Sequence, residues 1–302
     1  MSSNEEIVLL VGDNPFHGIS HLSQERARVR GNESTSPESA ARLVLKSIEN
    51  GAEGFMFSVS DLTLAILQNI REEKQADRLG LYAIVPYAFE YVRAAAQTGM
   101  PGLAKRLAKQ IVFSRDLGAI AAGLRAGVTA DPQALLRTYL SYELSRLRSV
   151  AKQTNLVSVL LHEVITDMGL ALNLRWLFES YVEFMVNREI TPGFNTRNFP
   201  YLIRRFGEWN IDLREVLIAA PFNKVGFQMN PSKLDCEKAL ENLPVPNVLA
   251  ISIFASGYVT PSEAAEYFTS LQGMKGVAVG VSREKHAVET FRFLKERLRR
   301  RC

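Results

Sequence analysis

Short apolar runs alternate with longer amphipathic segments along most of this chain. Each run is rich in β-branched residues and ends at a small or polar residue, a pattern typical of buried parallel strands. The segments between the runs repeat apolar positions at helical spacing. The predicted strands are 7–12, 54–58, 81–86, 156–162, 190–195, 216–222, 248–254 and 276–281.

Helix start signals stand between the predicted strands. Ser36-Pro37, Asp131-Pro132 and Thr260-Pro261 each place an N-cap residue ahead of a proline that fits a first helical turn. Strand–helix units repeated eight times predict an α/β protein, a single (β/α)8 TIM barrel that forms one domain over residues 1–302. The predicted helices are 39–49, 133–152, 170–187, 199–206, 236–242, 264–271 and 284–301.

One connection departs from this rhythm. Residues 89–129, between the third and fourth predicted strands, contain five glycines around two short helical patterns. Because the segment leaves the carboxyl end of a strand, we predict an inserted helical, lid-like segment over the barrel mouth. A stabilising decoration or a contact with a second subunit is an equal alternative.

Composition narrows the class of protein. The net charge is +4, and part of it comes from a basic run at 297–301. Basic residues are typical of the carboxyl end of a helix, so this run does not by itself support nucleic acid binding. No apolar run reaches the roughly 18 residues of a membrane span, and the first residues are polar, so we expect a cytoplasmic protein without a membrane partner. Cys236 and Cys302 lack the spacing of a disulfide framework or a metal motif. The expected partner is a small-molecule substrate, and the oligomeric state stays open.

The end of the first predicted strand carries a dense polar turn, Gly12-Asp13-Asn14-Pro15-Phe16-His17-Gly18. A carboxylate and an imidazole are the usual parts of an acid–base pair and of a metal site, so Asp13 and His17 are candidates for either role. The alternative is a turn in which Asp13 or Asn14 caps its own backbone while His17 packs nearby.

The fourth predicted strand ends at His162, which Glu163 follows. Side chains alternate between the two faces of a strand, so these two residues cannot both line the pocket if the strand includes both. We favour His162 as a catalytic residue, because the carboxyl ends of barrel strands are where catalytic groups lie. A satisfied core histidine is the alternative.

Polar groups also follow the last four predicted strands. Asn195 and Thr196 follow the fifth strand and Asn223 follows the sixth; amide and hydroxyl groups of this kind bind a carbonyl, a carboxamide or a phosphate, or else cap the next helix. The seventh and eighth strands are followed by Ser256, Gly257, Ser282 and Arg283, where barrels commonly hold phosphate. Ser282 is also a candidate N-cap of the last helix.

Residues from about 130 to 298 resemble the second half of an aldo-keto reductase. That family has Leu-Ile-His at strand four, Gly-Val-Ser-Asn-Phe at strand five, Pro-Tyr-Asn at strand six, Ser-Pro-Leu-Ala-x-Gly at strand seven and Gly-x-Ser at strand eight. The matching stretches here are Leu160-Leu-His162, Gly193 to Phe199, Pro221-Phe222-Asn223, Ser252 to Gly257 and Gly280-Val-Ser282. The resemblance implies an oxidoreductase barrel that binds NADP(H), with Glu289 near the adenine.

The first half of the chain departs from the family pattern. Aldo-keto reductases use an Asp after strand two, a Tyr a few residues on, a Lys at the end of strand three and a His after strand four. Here Ser58 stands near the expected Asp, the third strand ends Val85-Pro86-Tyr87 without a lysine, and His162 matches by position. A rebuilt site would use Asp61 as a displaced carboxylate and Tyr87 as a relocated proton donor.

Three hypotheses follow. The first is an aldo-keto reductase-like enzyme that binds a phosphate-bearing ligand, with NADP(H) as the candidate cofactor, and acts on a small carbonyl or sugar-like substrate. The second is an acid–base or metal-dependent isomerase, lyase or hydrolase. The third is a non-catalytic binding protein on a degenerate barrel. A divalent ion in the second hypothesis would draw on Asp13, His17, Asp61, Glu90 and His162.

Overall fold

A computed structural model describes residues 7–18, 36–71, 73, 79–86, 131–150 and 155–298. The strands in these ranges are β1 (Val8–Gly12), β2 (Gly54–Ser58), β3 (Gly80–Val85), β4 (Asn155–Leu161), β5 (Thr191–Asn195), β6 (Leu217–Pro221), β7 (Val248–Ile251) and β8 (Met274–Gly280). The α-helices are α1 (Pro37–Glu49), α2 (Asp61–Arg71), α3 (Pro132–Val150), α4 (Glu163–Ala171), α5 (Arg175–Val186), α6 (Phe199–Trp209), α7 (Lys233–Glu241), α8 (Pro261–Ser270) and α9 (Glu284–Leu298).

The eight strands close into a parallel barrel in chain order. Closure is made by β1 and β8, whose register pairs Leu10 with Ala278 and Gly12 with Gly280. The predicted α/β TIM-barrel fold is therefore confirmed. The predicted segment 89–129 lies outside the described residues. Within the part of the chain that is described, no helix is long and apolar enough to cross a membrane.

Side chains pack on both faces of the barrel sheet. The strand residues that face the axis form an apolar column, whose buried members are Leu10, Met56, Tyr82, Ile84, Leu160, Leu217, Ala219 and Leu249. The alternate strand residues face the helices and form the larger core. Since side chains alternate, Ser58, His162 and Asn195 are the next inward positions after Met56, Leu160 and Gly193. These three residues therefore stand above the apolar column at the carboxyl mouth.

The helix predictions differ from the structure in two places. The helix α2 was not predicted, and the predicted helix 170–187 is two helices, α4 and α5. The break lies at Asn173, whose φ of 56° is left-handed, a conformation that asparagine tolerates better than most residues. The predicted strand 248–254 stops at Ile251, because the next residue, Ser252, also has a left-handed φ of 56°.

An aromatic cluster joins β5 to the outer helices. The Phe194 ring is fully buried and lies 4.9 Å from the Phe206 centroid and 5.3 Å from the Tyr181 centroid, both in edge-on geometry. The Tyr181 hydroxyl donates a 2.7 Å hydrogen bond to the Val159 carbonyl oxygen. These contacts hold β5, and with it Asn195, against α5 and α6.

We expect Phe194→Ala to lower the free energy of unfolding by about 3–5 kcal/mol, because it removes a fully buried ring and leaves a cavity. Urea denaturation followed by circular dichroism measures the change. Tyr258→Ala is the control, since that ring is 75% exposed and its removal should cost less than about 0.5 kcal/mol. Equal losses in the two variants would contradict this packing.

Candidate functional site at the barrel mouth

Asp13 and His17 form a buried pair directly after β1. The Asp13 Oδ2 atom accepts a 2.7 Å hydrogen bond from the backbone N–H of Ser58 and lies 3.1 Å from His17 Nε2. The two side chains are only 5% and 6% exposed. A carboxylate removed from water and held by a strand amide orients the imidazole, so the structure brings these two predicted residues into contact.

The turn that carries His17 is a short 3-10 helix, Asn14–His17, with Pro15 in its first turn. The Pro15 ring packs over Gly280 at the end of β8, where a Cβ atom would lie 2.8 Å from the ring. Glycine is therefore needed at position 280 for the close approach. The turn ends at Gly18, whose φ of 68° is left-handed. These contacts fix the Asp13–His17 pair at the rim between β8, β1 and β2.

His162 is the N-cap of α4. Its Nδ1 atom accepts a 3.2 Å hydrogen bond from the backbone N–H of Val164, so the neutral ring carries its proton on Nε2. Burial lowers the pKa of His162 below its usual 6.5, Arg197 lowers it further, and the carboxylates of Glu163 and Asp13 act in the opposite sense. Near neutral pH the ring is therefore an uncharged Nε2–H donor at the barrel mouth.

Asn195 ends β5 on the inward face. The residue is 6% exposed, and its Oδ1 atom has no hydrogen-bond partner among the described residues. An unpaired buried carbonyl oxygen costs free energy unless a donor reaches it, and it is a place where a ligand N–H or O–H group would bind. This is the predicted ligand residue whose environment best fits that role.

Thr196 is held in a local network instead. Its hydroxyl donates a 2.5 Å hydrogen bond to Asp167 Oδ1 of α4 and accepts the Asn198 backbone N–H at 3.0 Å. The Arg197 backbone N–H reaches Asp167 Oδ2 at 3.1 Å, and the Arg197 guanidinium pairs with Glu163. Burial raises the pKa of Asp167, while its hydrogen bonds to Thr196 and Arg197 lower it.

This network joins β5 to α4, and sequence reasoning missed Asp167. Thr196 and Asp167 are 29 positions apart, so no local pattern signals their contact.

Asn223 is likewise used within its own turn. Its Oδ1 atom accepts the Phe227 N–H at 2.8 Å, and its Nδ2 atom donates to the Phe227 carbonyl oxygen at 2.8 Å. The residue is fully buried. The side chain therefore closes the loop after β6.

The predicted phosphate cradle lies at the ends of β7 and β8. Ser256 has a left-handed φ of 62° and precedes the exposed Gly257. The carbonyl oxygen of Arg283 accepts the Ala287 N–H at 3.0 Å, so the N-cap position of α9 belongs to Arg283 rather than to Ser282. Within the described ranges the exposed Arg283 guanidinium has no hydrogen bond or ion pair. Glu289 is exposed on α9, 3.8 Å from Lys285.

Of the remaining candidates, Asp61 lies apart from this group. The Asp61 side chain is 81% exposed at the start of α2 and pairs with Arg146 of α3 at 2.7 Å. Tyr87 and Glu90 lie outside the described residues. Across the part of the chain that is described, no three His, Cys, Asp or Glu side chains come together as metal ligands would.

A separate pocket of about 250 Å³ opens between α4 and α6. It shares no lining residue with the pair Asp13–His17, with His162 or with Asn195. Its lining residues are Asp167, Ala171, Asn198, Tyr201 and Asn230.

Comparison with known proteins identifies the architecture. No protein-family model and no curated protein matches the sequence. A solved structure of a Pseudomonas aeruginosa protein, described provisionally as an aldo-keto reductase, superposes with a TM-score of 0.60 at 13% identity, over 96% of this chain and 90% of that one. This chain has an aldo-keto reductase-like barrel.

A second structure from that organism with the same provisional description gives a TM-score of 0.59 at 12% identity, again over 96% and 90% of the two chains. At this identity the likeness establishes the fold. The aldo-keto reductase-like fold that the resemblance implied is confirmed.

The lowered pKa of His162 predicts a pH-dependent stability. The unfolded chain takes up a proton near pH 6.5 and the folded chain only at lower pH, so folding stability contributed by the neutral ring is lost as the pH falls below about 6.5. His162→Asn keeps a good N-cap group but cannot titrate, so its free energy of unfolding should fall less between pH 8 and pH 5. Urea denaturation at each pH measures this.

His286→Asn is the control, because it removes an exposed imidazole of α9. Parallel pH curves for the parent and His162→Asn would contradict the assignment.

Asn195 and Asn247 form a matched pair of buried asparagines. Asn247, at the amino end of β7, donates from Nδ2 to the carbonyl oxygens of Val216, at 2.9 Å, and of Leu213. We expect Asn247→Leu to lower the free energy of unfolding by about 2 kcal/mol, and Asn195→Leu to leave it within about 1 kcal/mol of the parent or to raise it. Urea denaturation measures the free energy of unfolding of each variant. A large decrease in Asn195→Leu would show that the Asn195 amide has hydrogen-bond partners in the folded protein.

Proposed function

We propose that this protein is an enzyme that binds NADP(H) as its phosphate-bearing ligand and acts on a small carbonyl or sugar-like substrate at the barrel mouth. One observation carries the proposal. On the adjacent strands β4 and β5, the Nε2–H donor of His162 and the unpaired Oδ1 acceptor of Asn195 stand on the inward face above an apolar floor.

The residues present fit a nicotinamide dinucleotide. The Asn195 Oδ1 atom suits the N–H of a carboxamide, and Arg283 at the start of α9 suits a phosphate, since helix amides and a guanidinium both favour an anion. Ser256, Gly257 and Ser282 would flank that phosphate from the ends of β7 and β8. When bound, NADP(H) supplies hydride transfer.

His162 has a defined part in this proposal. Its Nε2–H donates a hydrogen bond to the substrate carbonyl oxygen and thereby polarises the carbonyl bond. Its Nδ1 atom is occupied by the Val164 N–H, which holds the ring in the right tautomer. Directly below His162 on β4 the inward residue is Leu160, whose side chain has no hydrogen-bonding group that would compete for this donor.

An acid–base isomerase or lyase acting on the same class of substrate is a second candidate. The observation that favours it is the end of β3, where Val85 is followed by Pro86 instead of the lysine of the aldo-keto reductase pattern. Such an enzyme would use His162 in the same way and would turn over its substrate without NADP(H).

Binding of NADPH tests the proposal. We expect NADPH to raise the thermal unfolding midpoint and to show altered fluorescence on binding. Arg283→Ala should weaken the affinity about tenfold or more, because a charge-assisted hydrogen bond contributes about 1.5–3 kcal/mol. Fluorescence titration gives the dissociation constants.

Arg137→Ala is the control, since that exposed arginine of α3 pairs with Glu183. No response at millimolar NADPH would overturn the proposal, and turnover of a sugar phosphate without NADPH would establish the second candidate.

A further inference from the structure

We propose that Arg197 binds an acidic group of the substrate, so that the site takes small carbonyl compounds that carry a carboxylate or a phosphate. The inference rests on the proposed function, because it assumes that His162 binds the carbonyl oxygen of such a compound at the barrel mouth. It adds the charge class of the substrate and the residue that selects it.

The backbone of Arg197 is held from two sides at the carboxyl end of β5. The residue follows Asn195, the last residue of β5, by two positions. Its backbone N–H donates to Asp167 Oδ2 of α4 at 3.1 Å, and its carbonyl oxygen accepts the Asn230 N–H at 3.1 Å. Helix α4 and the loop after β6 therefore fix the point from which this side chain extends.

The guanidinium of Arg197 lies beside His162. It pairs with Glu163, which is the first residue of α4 and directly follows His162 in the chain. Burial lowers the pKa of His162, and the charges of Glu163 and Arg197 are among those that also act on this ring. Both observations place the guanidinium at the part of the rim where His162 stands.

The guanidinium keeps donors for a ligand. An arginine side chain has five N–H donors and stays charged, and the pair with Glu163 engages only Nη2. Within the described ranges, the guanidinium makes no other hydrogen bond or ion pair. The side chain is 35% exposed, so N–H groups remain open to solvent. Two parallel N–H groups of this kind match the oxygens of a carboxylate or a phosphate.

Glu163 both orients this cation and competes for it. The ion pair restrains a long side chain, which lowers the entropy cost when a ligand binds. The Glu163 carboxylate also offsets part of the positive charge and repels an acidic ligand. Removal of this negative charge should therefore favour the ligand, and removal of the positive charge of Arg197 should disfavour it.

The acid that Arg197 binds belongs to the substrate rather than to the cofactor. In the closed strand order, β5 lies three strands from β8, after which Arg283 is placed for the cofactor phosphate. His162 and Asn195, on β4 and β5, are the nearer groups of the proposed reaction site. Arg197 and Arg283 thus serve different anions at separate parts of the rim.

The test compares matched aldehydes with the full-length protein and NADPH, followed by NADPH absorbance. Succinic semialdehyde and butanal differ by a carboxylate, and glyceraldehyde 3-phosphate and glyceraldehyde differ by a phosphate. We expect Arg197→Gln to lower the ratio of kcat/KM for the acidic aldehyde to that for its neutral partner at least about tenfold, mainly through KM. Arg197→Lys should restore part of the ratio, and Glu163→Gln should raise it.

Arg204→Gln is the control, because that exposed arginine of α6 pairs with Glu208. A ratio in Arg197→Gln within about twofold of the parent for both aldehyde pairs overturns the inference. Equal decreases in Arg197→Gln and Glu163→Gln also overturn it, since they would show an ion pair that acts only on the structure. A decrease with one aldehyde pair alone supports the inference and identifies the acid as a carboxylate or as a phosphate.

A second measurement needs no turnover. In protein labelled with ¹⁵N-arginine, the Nε signal of Arg197, assigned with Arg197→Gln, should shift and saturate at millimolar succinate or inorganic phosphate, while that of Arg204 should not. No shift, or an equal shift of both signals, overturns the inference even where NADPH binding upholds the proposed function. If the parent neither binds NADPH nor reduces any of these aldehydes, the proposed function fails, and a saturating shift of Arg197 alone then still supports an acid-binding site.

Discussion

The parallel pairing of β1 with β8 is the constraint on which the site depends. Five consecutive pairs, from Val8 with Gly276 to Gly12 with Gly280, bring the first and last strands together. Because a closed parallel barrel has a single carboxyl rim, Asp13 near one end of the chain and Arg283 near the other come to the same side of the molecule. A one-residue slip of this register would exchange inward and outward side chains on β1 and separate Asp13 from the Ser58 amide.

The polar residues at that rim are of two kinds. The Thr196 hydroxyl donates a hydrogen bond to Asp167, and the Asn223 amide bonds to the backbone of Phe227. These two side chains therefore stabilise the loops after β5 and β6. Among the described residues, Asn195 Oδ1 has no hydrogen-bond partner, and the cap of α4 uses only the Nδ1 side of His162. The sequence shows both kinds as polar side chains after apolar strands, and only their partners in space separate them. Residue type alone therefore does not tell a residue that stabilises a loop from one whose polar group is unpaired.

The strands were predictable because their signal is local. Runs of β-branched residues end where the backbone leaves the sheet, and β2 has the predicted bounds, Gly54–Ser58. The helix α2 was missed although it has a cap: Ser60 and Thr63 exchange hydrogen bonds, the Ser60 N–H to the Thr63 hydroxyl at 3.0 Å and the Thr63 N–H to the Ser60 hydroxyl at 3.2 Å. A glutamate or glutamine is the usual partner in such a box, so a threonine there gives a weak signal. The pair Asp13–His17, four positions apart, was predictable for the same local reason. Asp61 was a candidate because the aldo-keto reductase pattern has an Asp after strand two, but its side chain is 81% exposed and pairs with Arg146.

The loop after β7 has a consequence for thermal robustness. Ser252, Ala255 and Ser256 all adopt left-handed φ values, and a side chain in that conformation costs roughly 1–2 kcal/mol. Glycine would relieve this strain at Ser256, but it would also stabilise the unfolded chain by about 0.4–1 kcal/mol through greater flexibility. The net effect of Ser256→Gly on the free energy of unfolding is therefore close to zero or stabilising. The folded state thus gains little from keeping a hydroxymethyl group at this position. This loop is therefore a good place to raise the thermal stability of the barrel by substitution. If a more stable variant at Ser256 bound its ligand less tightly, the Ser256 hydroxyl would be shown to contribute to binding.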